Sequence, residues 1–378
     1  MRLRLLWKRN AGAAGKVFPL PRGTGIKMKN NTEKTKCLFQ LKSCVWEITL
    51  ACCFSCRYCG SKGGKARENE LTTQECLCVA EQLSDLGCQR VSLIGGEVFM
   101  RPDWLAIVRA LTERQIRVSV ITNGYLFPRG MITRLKEAGV ESVAVSLDGL
   151  EEIHDRYRQS GSYRRADSAI DVLSGSGIPV SVITTLHSGN VPYLASFYQY
   201  LLTKHIAAWQ LQACSPMGNA ANGGMDYRFD CNTVIDFVES KMFEAPFMMG
   251  VADNIGYFTG SEGYLRGNLS GSAYFRGCSA GLDSVGIDSV GNVRGCEAMY
   301  DARFIEGNLR EKSLREIWES PDAFAYNRKF RAEMLTGACG SCPYGSRCAG
   351  GCRSYNYFTH GKLYESFNCA RNSRKNDV

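Results

Sequence analysis

The sequence predicts an α/β protein built around a parallel sheet, and two features of the chain support this prediction. Between residues 45 and 212, short apolar runs alternate with longer segments whose apolar residues recur at helical spacing. Strands that alternate with helices in this way form parallel sheets joined by right-handed crossovers. The periodicity leaves open whether the sheet is open or curled, but in either case functional loops are expected after the carboxyl ends of the strands.

Six strands are predicted, and helices separate them. The first helix has the clearest limits, because Thr72 and Glu75 are spaced as in a capping box and Gly87 can end the helix. The predicted strands cover 45–49, 91–94, 118–122, 142–147, 180–185 and 208–212. The later helices are predicted at 104–111, 128–138, 166–173 and 192–204, with one more helical stretch near 233–241.

The net charge of +9 is concentrated at one end of the chain. Residues 1–36 contain ten lysines and arginines and one glutamate, which leaves 36 basic and 36 acidic residues in the rest. The excess therefore indicates a basic disordered tail rather than a nucleic-acid-binding surface.

The length and cysteine content of the chain limit its possible domain organisation, location and metal chemistry. The 378 residues are enough for one large α/β domain and a smaller one. No apolar run approaches the ~20 residues that span a bilayer, so no membrane association is predicted. Eighteen cysteines without a secretory signal favour a cytoplasmic protein that uses cysteine for metal ligation rather than for disulfides.

A short loop after the first predicted strand carries three cysteines at close spacing, Cys52, Cys56 and Cys59. Thiolates at such spacing can hold an iron–sulfur cluster. A cubane cluster has four irons, so three cysteines leave one iron open to a ligand that is not protein. Cys53 is expected to point away from the cluster. A zinc knuckle is the alternative, but it would normally use two Cys-x-x-Cys pairs and only one is present here.

A second group of cysteines lies near the end of the chain, where short segments replace the alternating pattern. Four of them could form a zinc ribbon, but three would then have no role. The seven cysteines are Cys278, Cys296, Cys339, Cys342, Cys348, Cys352 and Cys369.

The cysteine loop resembles the signature of the radical SAM enzymes, and the seven C-terminal cysteines resemble the SPASM domain. The resemblance implies a curled, partial (β/α)6 TIM-like barrel, followed by a small cysteine-rich domain that holds two auxiliary iron–sulfur clusters. It also implies that S-adenosylmethionine chelates the open iron of a 4Fe-4S cluster, and that one electron then releases a 5′-deoxyadenosyl radical. Three clusters are therefore expected in all.

The resemblance assigns the cofactor-binding residues to loops that follow successive strands. In the family, the Gly-Gly-Glu motif binds the methionine amino group, the polar residues after the third and fourth strands contact the carboxylate and ribose, and one aromatic residue contacts adenine through its backbone. The alternative for these residues is a role in turns and caps. The candidates are Tyr58, Gly95, Gly96, Glu97, Asn123, Ser146 and Asp148, with Gln212 and Pro216 near the same cavity.

The resemblance also divides the C-terminal cysteines into two ligand sets. Cys278, Cys296 and Cys352 are implied for the first auxiliary cluster, and Cys339, Cys342, Cys348 and Cys369 for the second.

The first set has only three cysteines, and no other cysteine lies between 279 and 295. Its fourth position could be an open iron, a carboxylate such as Asp283 or Asp288, or substrate.

Two residues are candidates for catalysis. Glu297 directly follows a cluster ligand, where relatives that oxidise a sulfatase residue carry an acid, so it could act as a general base. The alternative is a surface glutamate. Cys214 follows the sixth strand, although core packing is the common role of an unassigned cysteine.

We expect a barrel at 37–212, a bridging region at 213–277 and the SPASM domain at 278–378. The resemblance implies a peptide maturase that acts on a ribosomally made precursor by crosslinking, side-chain oxidation or backbone excision. A maturase of a sulfatase-type protein and a non-catalytic electron-transfer protein are the alternatives.

Two protein partners are also expected. Many peptide-modifying relatives have a small winged-helix domain ahead of the barrel, which binds the precursor's leader by strand addition. The residues before the first strand are too few for such a domain, so we expect a separate leader-recognition protein. The cluster also requires an external electron donor, such as flavodoxin or ferredoxin.

Overall fold

A computed structural model describes residues 38–128, 130–222, 225–266 and 274–375. The predicted basic tail, 1–36, lies outside the described residues. The strands are β1 Ser43–Glu47, β2 Arg90–Ile94, β3 Arg117–Thr122, β4 Ser142–Ser146, β5 Val180–Leu186, β6 Ala208–Ala213, β7 Met248–Val251, β8 Ser284–Ile287, β9 Asn292–Arg294 and β10 Gly307–Asn308.

The α-helices alternate with the first six strands and then become short. They are α1 Thr73–Asp85, α2 Trp104–Thr112, α3 Met131–Glu137, α4 Glu151–Tyr157, α5 Ser162–Ser174, α6 Leu194–Leu201, α7 Asn219–Asn222, α8 Cys231–Lys241, α9 Glu262–Leu265, α10 Leu314–Glu319, α11 Ala325–Arg328, α12 Gly345–Cys348, α13 Arg353–His360 and α14 Ala370–Lys375. Single 3-10 turns lie at Val98–Met100, Val191–Tyr193, Ala302–Phe304, Ala332–Met334 and Gly337–Cys339.

All ten described strands belong to one sheet, in the order β10-β9-β8-β1-β2-β3-β4-β5-β6-β7. Strands β1 to β7 are parallel neighbours in chain order, and β8 pairs parallel with β1 on its free side. Strands β9 and β10 continue from β8 as antiparallel neighbours. The prediction of a parallel α/β sheet with six core strands is therefore confirmed.

Loops that follow distant strands of this sheet meet, so the sheet is curled. Asn219, shortly after β6, donates hydrogen bonds to the carbonyl oxygens of Cys56 and Cys59 in the loop after β1, both at 2.9 Å. Four strands lie between β1 and β6 in the sheet order, and this contact therefore requires the curled sheet that the resemblance implied.

The six predicted strands are found within two residues of their predicted limits, but four short strands and eight short helices were missed. Strand β7 has the sequence Met-Met-Gly-Val, which carries little β-branched character. Strands β8 to β10 lie within the cysteine-rich segment, where no alternation with helices is visible. The missed helices are α4, between the fourth and fifth strands, and α7 and α9 to α14, which all lie after the sixth strand and have eight residues or fewer. The division of the chain at residues 37, 213 and 278 stays a prediction.

The core lies between the outer face of the sheet and its helices. Alternate residues such as Val91, Leu93 and Val120 are fully buried there, while the residues between them face the inside of the curl. Ser92 and Ser119 meet on that inner face, with their hydroxyl oxygens 2.9 Å apart. No helix in the described part of the chain is long and apolar enough to cross a membrane.

Arg101 connects the end of β1 to the first two helices. Its guanidinium donates to the carbonyl oxygens of Ile48 and Leu71, both at 2.7 Å, and its Nε lies 2.7 Å from Asp103 Oδ1. The arginine side chain is only 8% exposed. Two buried carbonyls and a partly buried carboxylate therefore depend on this one side chain.

We expect Arg101→Met to destabilise the protein by about 3 kcal/mol, because it leaves buried acceptors and a charge without a partner. The measurement is the urea midpoint of the reconstituted protein, kept anaerobic. Arg109→Met is the matched control, since Arg109 lies on α2, which begins three residues after Arg101, is half exposed and has only a 3.9 Å contact with Glu137. Equal midpoints for the two variants would contradict the role assigned to Arg101.

Candidate functional site

Polar and sulfur-containing side chains collect at the carboxyl edge of the parallel strands. Each of the six core strands contributes a residue just after its last position or a few residues beyond it. In strand order these residues are Cys52, Glu97, Asn123, Asp148, His187 and Cys214. This convergence is what the sheet topology predicts for a functional site.

The loop with three cysteines is closed on itself by a short bridge between Ala51 and Gly64. Inside it, Phe54 N–H donates to the sulfur of Cys52 at 3.4 Å, and Gly63 N–H donates to the sulfur of Cys59 at 3.2 Å. Backbone donors aimed at sulfur stabilise thiolates, and hydrogen bonds to sulfur also tune iron–sulfur clusters. The loop is therefore suited to hold a cluster.

A segment that follows β6 holds this loop from one side. The side chain of Asn219 donates to Cys56 O and its backbone N–H donates to Cys59 O, both at 2.9 Å. Gly218, with φ of +60°, packs so closely that a Cβ there would be 2.3 Å from Cys59 O. Asn219 was not foreseen, because nothing local in the sequence links it to a loop 160 residues earlier.

The glycine pair after β2 holds the loop from the other side. A Cβ on Gly96 would be 2.3 Å from Ala51 O, and one on Gly95 would be 2.7 Å from Thr49 O. The absence of side chains therefore lets the two loops pack backbone against backbone. This gives the glycines a structural role beside the cofactor contact that the resemblance implies.

Glu97 is a buried carboxylate, 1% exposed, at the base of the site. It accepts hydrogen bonds from Thr122 Oγ1 and Asn123 N–H, both at 2.8 Å. Burial raises its pKa, and these hydrogen bonds oppose the rise. No lysine or arginine of the described residues forms an ion pair with it, so an organic ammonium group would find a complementary charge here. The amino group of S-adenosylmethionine fits this position.

Asp148 is equally buried but has many partners in the protein. Its carboxylate lies 2.6 Å from Arg158 Nε, accepts from Thr185 N–H at 3.0 Å and accepts from the hydroxyl of Tyr58. Burial would raise its pKa, but Arg158 and the other donors lower it to about 2.

The observed contacts of Asp148 therefore position Tyr58, whose ring lies 5.4 Å from the Arg158 guanidinium. Direct cofactor binding by Asp148 or Tyr58 stays a prediction. Arg158 was not among the candidates predicted from the sequence, because α4, which precedes it, was not predicted.

The other cofactor candidates lie at the same edge. The Asn123 amide is 3.5 Å from the sulfur of Cys53 and 3.9 Å from that of Cys52. Ser146 is the half-buried last residue of β4, and Gln212 Nε2 donates to Thr185 Oγ1 at 3.2 Å. Pro216 follows β6 in the segment that leads to the loop contact.

His187 is a further buried residue that the sequence analysis missed. It lies after β5 with its ring 4.0 Å from that of Tyr157 and 6.0 Å from that of Tyr58. Its Nδ1 accepts from Gly189 N–H at 3.1 Å, while Nε2 has no partner among the described side chains and backbone. The ring therefore offers one free nitrogen close to the predicted adenine position.

Within each of the two implied sets, C-terminal cysteines influence one another's pKa. Cys278 and Cys296 both raise the pKa of Cys352, after burial, which has the largest effect. Cys339, Cys369 and Cys342 do the same for Cys348. Within the described ranges, no three cysteine, histidine or acidic side chains converge on one metal ion. A cluster differs from a single ion because each ligand binds its own iron. Iron ligation by these residues stays a prediction.

Buried donors without partners lie beside the first set. Tyr326 Oη and the Nε and Nη2 atoms of Arg353 have no hydrogen-bond partner in the part of the chain that the structure describes. The thiols of Cys278 and Cys296 are close enough to raise the pKa of Tyr326, after burial, which raises it most. Unsatisfied buried donors are costly, and the sulfides of a cluster would accept from them. The residues present therefore fit an iron–sulfur cluster.

The two catalytic candidates are both buried. Glu297 is 6% exposed, and neither carboxylate oxygen has a hydrogen-bond partner among the described residues, although Arg294 Nη1 lies 3.8 Å away. Burial, followed by the charge of Glu47, raises its pKa well above the usual range. The alternative of a surface glutamate is therefore wrong. Cys214 is 2% exposed, and burial raises its pKa to about 12.

Comparison with known families matches both halves of the chain. The model of the radical SAM superfamily matches residues 46–193, and the model of the SPASM iron–sulfur cluster-binding domain matches residues 278–343.

Two similar curated proteins cover most of the chain. Mycofactocin maturase MftC of Mycobacterium ulcerans is 30% identical over 322 residues, which is 83% of this chain and 83% of the relative. The AdoMet-dependent heme synthase of Methanosarcina barkeri is 29% identical over 332 residues, which is 85% of this chain and 93% of the relative.

Solved structures support the fold at lower identity. Streptococcus suis SuiB bound to S-adenosylmethionine matches with a TM-score of 0.68 and 17% identity, over 86% of this chain and 76% of that chain. The enzyme anSMEcpe with bound AdoMet and a peptide matches with a TM-score of 0.66 and 18% identity, over 88% of this chain and 94% of that chain. The protein is an enzyme that uses S-adenosylmethionine, and it belongs to the radical SAM superfamily with a C-terminal SPASM iron–sulfur domain.

Proposed function

We propose that the enzyme is a peptide maturase that modifies a ribosomally made precursor. The observation that carries this proposal is the similarity to mycofactocin maturase, which extends over 83% of both chains. The structure of SuiB with its precursor peptide SuiA, which matches this chain with a TM-score of 0.68, is compatible in fold. Crosslinking, side-chain oxidation and backbone excision are all open as the modification.

The proposal assigns three clusters. Cys52, Cys56 and Cys59 would hold the cluster that, with S-adenosylmethionine bound, supplies a 5′-deoxyadenosyl radical. The two C-terminal cysteine sets would hold the auxiliary clusters.

The remaining assignments concern what the protein does around these groups. Glu97 would bind the cofactor's ammonium group, because it is a buried carboxylate without a cation. Asn123, Ser146 and Gln212 would contact the rest of the cofactor. Glu297 would hold or transfer a proton, since burial raises its pKa and favours the protonated carboxyl. Cys214 would act as a neutral thiol, because burial raises its pKa as well.

A second candidate function is suggested by the heme synthase relative, of which the chain covers 93%. The substrate would then be an iron porphyrin rather than a peptide. Maturation of a sulfatase-type protein stays an alternative, but the structural likeness to anSMEcpe at 18% identity supports only the fold. Electron transfer without catalysis is no longer an alternative, because the family cleaves S-adenosylmethionine.

We expect Cys52→Ala/Cys56→Ala/Cys59→Ala to abolish formation of 5′-deoxyadenosine but to retain the C-terminal iron. Iron should fall from about twelve to about eight atoms per chain if all clusters are cubanes. Cys53→Ala is the matched control, because Cys53 lies in the same loop and is not an assigned ligand. Continued 5′-deoxyadenosine formation by the triple variant would show that the loop does not hold the radical cluster.

Substrate class can be tested by direct turnover. Reconstituted enzyme with S-adenosylmethionine and reduced flavodoxin would be given a short precursor encoded beside its gene or, separately, iron coproporphyrin III. We expect a mass change in the peptide and none in the porphyrin, with the triple cysteine variant as the blank. Conversion of the porphyrin but not of the peptide would contradict the peptide-maturase proposal and support the second candidate function.

The same assay tests for a separate leader-recognition protein, which is part of the proposal. We expect precursor binding and turnover to rise when a candidate partner encoded nearby is added. Full binding and turnover by the enzyme alone, unchanged by any partner, would remove this component and leave the substrate assignment standing.

A further inference from the structure

The two faces of the curled sheet differ in exposure. On β2, Val91 and Leu93 are buried on the outer face, whereas Ser92 and Ile94 on the inner face are partly exposed. Strands β3, β4, β6 and β7 repeat this alternation along their whole length, and β1 and β5 do so over their first four residues. Solvent therefore reaches the inside of the curl, which is a lumen. The interior of a closed eight-stranded barrel is instead filled by layers of bulky branched side chains.

Many of the side chains that line this lumen are small and carry a hydroxyl group. Ser92, Ser119 and Ser142 are direct cross-strand partners on β2, β3 and β4, and we call them the serine row. A hydroxyl donates one hydrogen bond and accepts two, so the 2.9 Å contact between Ser92 and Ser119 leaves most of this capacity unused. Further serines on the inner face are Ser43, Ser146, Ser181 and Ser284.

The amino end of the lumen is basic. Arg90 and Arg117 are cross-strand partners, are exposed, and lie on the inner face two positions before the serine row. Arg90 has no ion pair among the described residues, and Arg117 has a 3.5 Å contact with Glu141 in which both side chains are about half exposed. At the same end of β1, Lys42 is already paired with Asp283 at 3.4 Å. The two arginines therefore outnumber the carboxylate beside them and would attract a carboxylate of a ligand.

The length of the lumen corresponds to a short peptide segment. Strand β2 has five residues, which at about 3.3 Å per residue span about 16 Å. An extended peptide has a similar rise, so about five of its residues would pass from the carboxyl edge of the sheet to the two arginines. The predicted cluster loop and Glu97 lie at that carboxyl edge.

We propose that the lumen binds an extended segment of the precursor peptide, while the residue to be modified stays at the carboxyl edge. The backbone of this segment hydrogen-bonds to the serine row, and one of its carboxylates lies between Arg90 and Arg117. The proposal rests on the proposed function, because it takes the substrate to be a peptide. A peptide backbone supplies a donor and an acceptor at most residues, whereas the apolar face of a porphyrin would leave the hydroxyls unsatisfied.

Ala144 allows the lumen to be blocked without removing a hydroxyl group. It lies on the inner face of β4, is partly exposed, and has Ile121 and Ser181 as cross-strand partners. A phenylalanine at this position would occupy space that the segment needs. Ala106→Phe is the matched control, because Ala106 is exposed on α2, outside the curl.

The first test measures the affinity of a fluorescently labelled precursor for the full-length reconstituted enzyme, with and without the candidate partner protein. We expect Ala144→Phe, and separately Ser92→Ala/Ser119→Ala/Ser142→Ala, to weaken precursor binding by about tenfold or more. Ala106→Phe should bind like the unaltered enzyme. Binding of S-adenosylmethionine is measured in the same samples to show that the variants keep the cofactor site.

The second test locates the segment by photo-crosslinking. Precursors that carry benzoylphenylalanine at successive positions would be bound, irradiated, digested and analysed by mass spectrometry. We expect crosslinks to inner-face residues of β2, β3 and β4 from positions about two to five residues away from the modified one. Crosslinks confined to the loops at the carboxyl edge, or to the helices, would overturn the proposal.

The third test concerns the two arginines. Arg90→Gln/Arg117→Gln should make precursor binding less dependent on salt, because it removes the partners of the carboxylate. Arg109→Gln/Arg114→Gln is the matched control, which removes two exposed guanidinium groups outside the curl. Precursors with an amidated C-terminus, or with amides in place of their acidic side chains, identify which carboxylate binds. Equal salt dependence of the two double variants would overturn the role of the arginines.

The outcomes separate the lumen from the proposed function. A precursor that is modified by the unaltered enzyme and binds equally well to Ala144→Phe would overturn binding in the lumen and leave the proposed function standing. A precursor that the unaltered enzyme neither binds nor modifies would overturn both. If Ala144→Phe does not fold, the triple serine variant, which only removes oxygen atoms, gives the same test.

Discussion

The cluster loop is held by backbone contacts that leave no room for a methyl group on either side. Gly96, in the loop after the neighbouring strand β2, packs against Ala51 O. Gly218, in the segment after β6, packs against Cys59 O. The contact of Gly96 needs only the pairing of β1 with β2, whereas the contact of Gly218 joins loops after β1 and β6 and forms only when the sheet has curled. The positions of the three cysteines are therefore a consequence of the whole barrel rather than of the loop alone, which provides the pre-organisation that a functional centre needs.

Two buried carboxylates, on the loops after β2 and β4, have different environments at this edge of the sheet. Glu97 has neutral donors only, so burial keeps its pKa raised, whereas Asp148 has Arg158 beside it and a pKa of about 2. Environments that push the pKa values of two acids apart commonly give them different roles. Glu97 is free to accept a cationic ligand, while Asp148 is already neutralised and holds Tyr58 and Arg158 in place. A buried carboxylate is thus open to a cationic ligand at one loop and engaged by the protein at another.

The sequence allowed the six core strands and most of the site to be predicted, because both depend on local patterns. Apolar runs define the strands, and the carboxyl ends of parallel strands lie together whatever the side chains are. The residues that were missed depend on long-range contacts. Asn219 contacts a loop 160 residues away, Arg158 depends on Asp148, and Arg353 lies in a segment with no periodicity. Strand β7 was missed because its weak sequence becomes a strand only by pairing with β6.

The segment that follows β7 is hydrogen-bonded to the C-terminal region that carries the predicted cluster ligands. Gly256 N–H donates to Asn368 O at 2.8 Å, and Asn368 Nδ2 donates to Asn254 O at 3.2 Å, so this segment is hydrogen-bonded to the residue before Cys369. The same segment reaches Cys352 through Tyr257.

Around these contacts the protein buries an arginine and a tyrosine whose donors have no acceptor within the described chain. Such groups destabilise a protein unless a bound group satisfies them. A cluster at the proposed first auxiliary site would supply sulfides that accept from these donors, and its binding would then be coupled to the folding of this region.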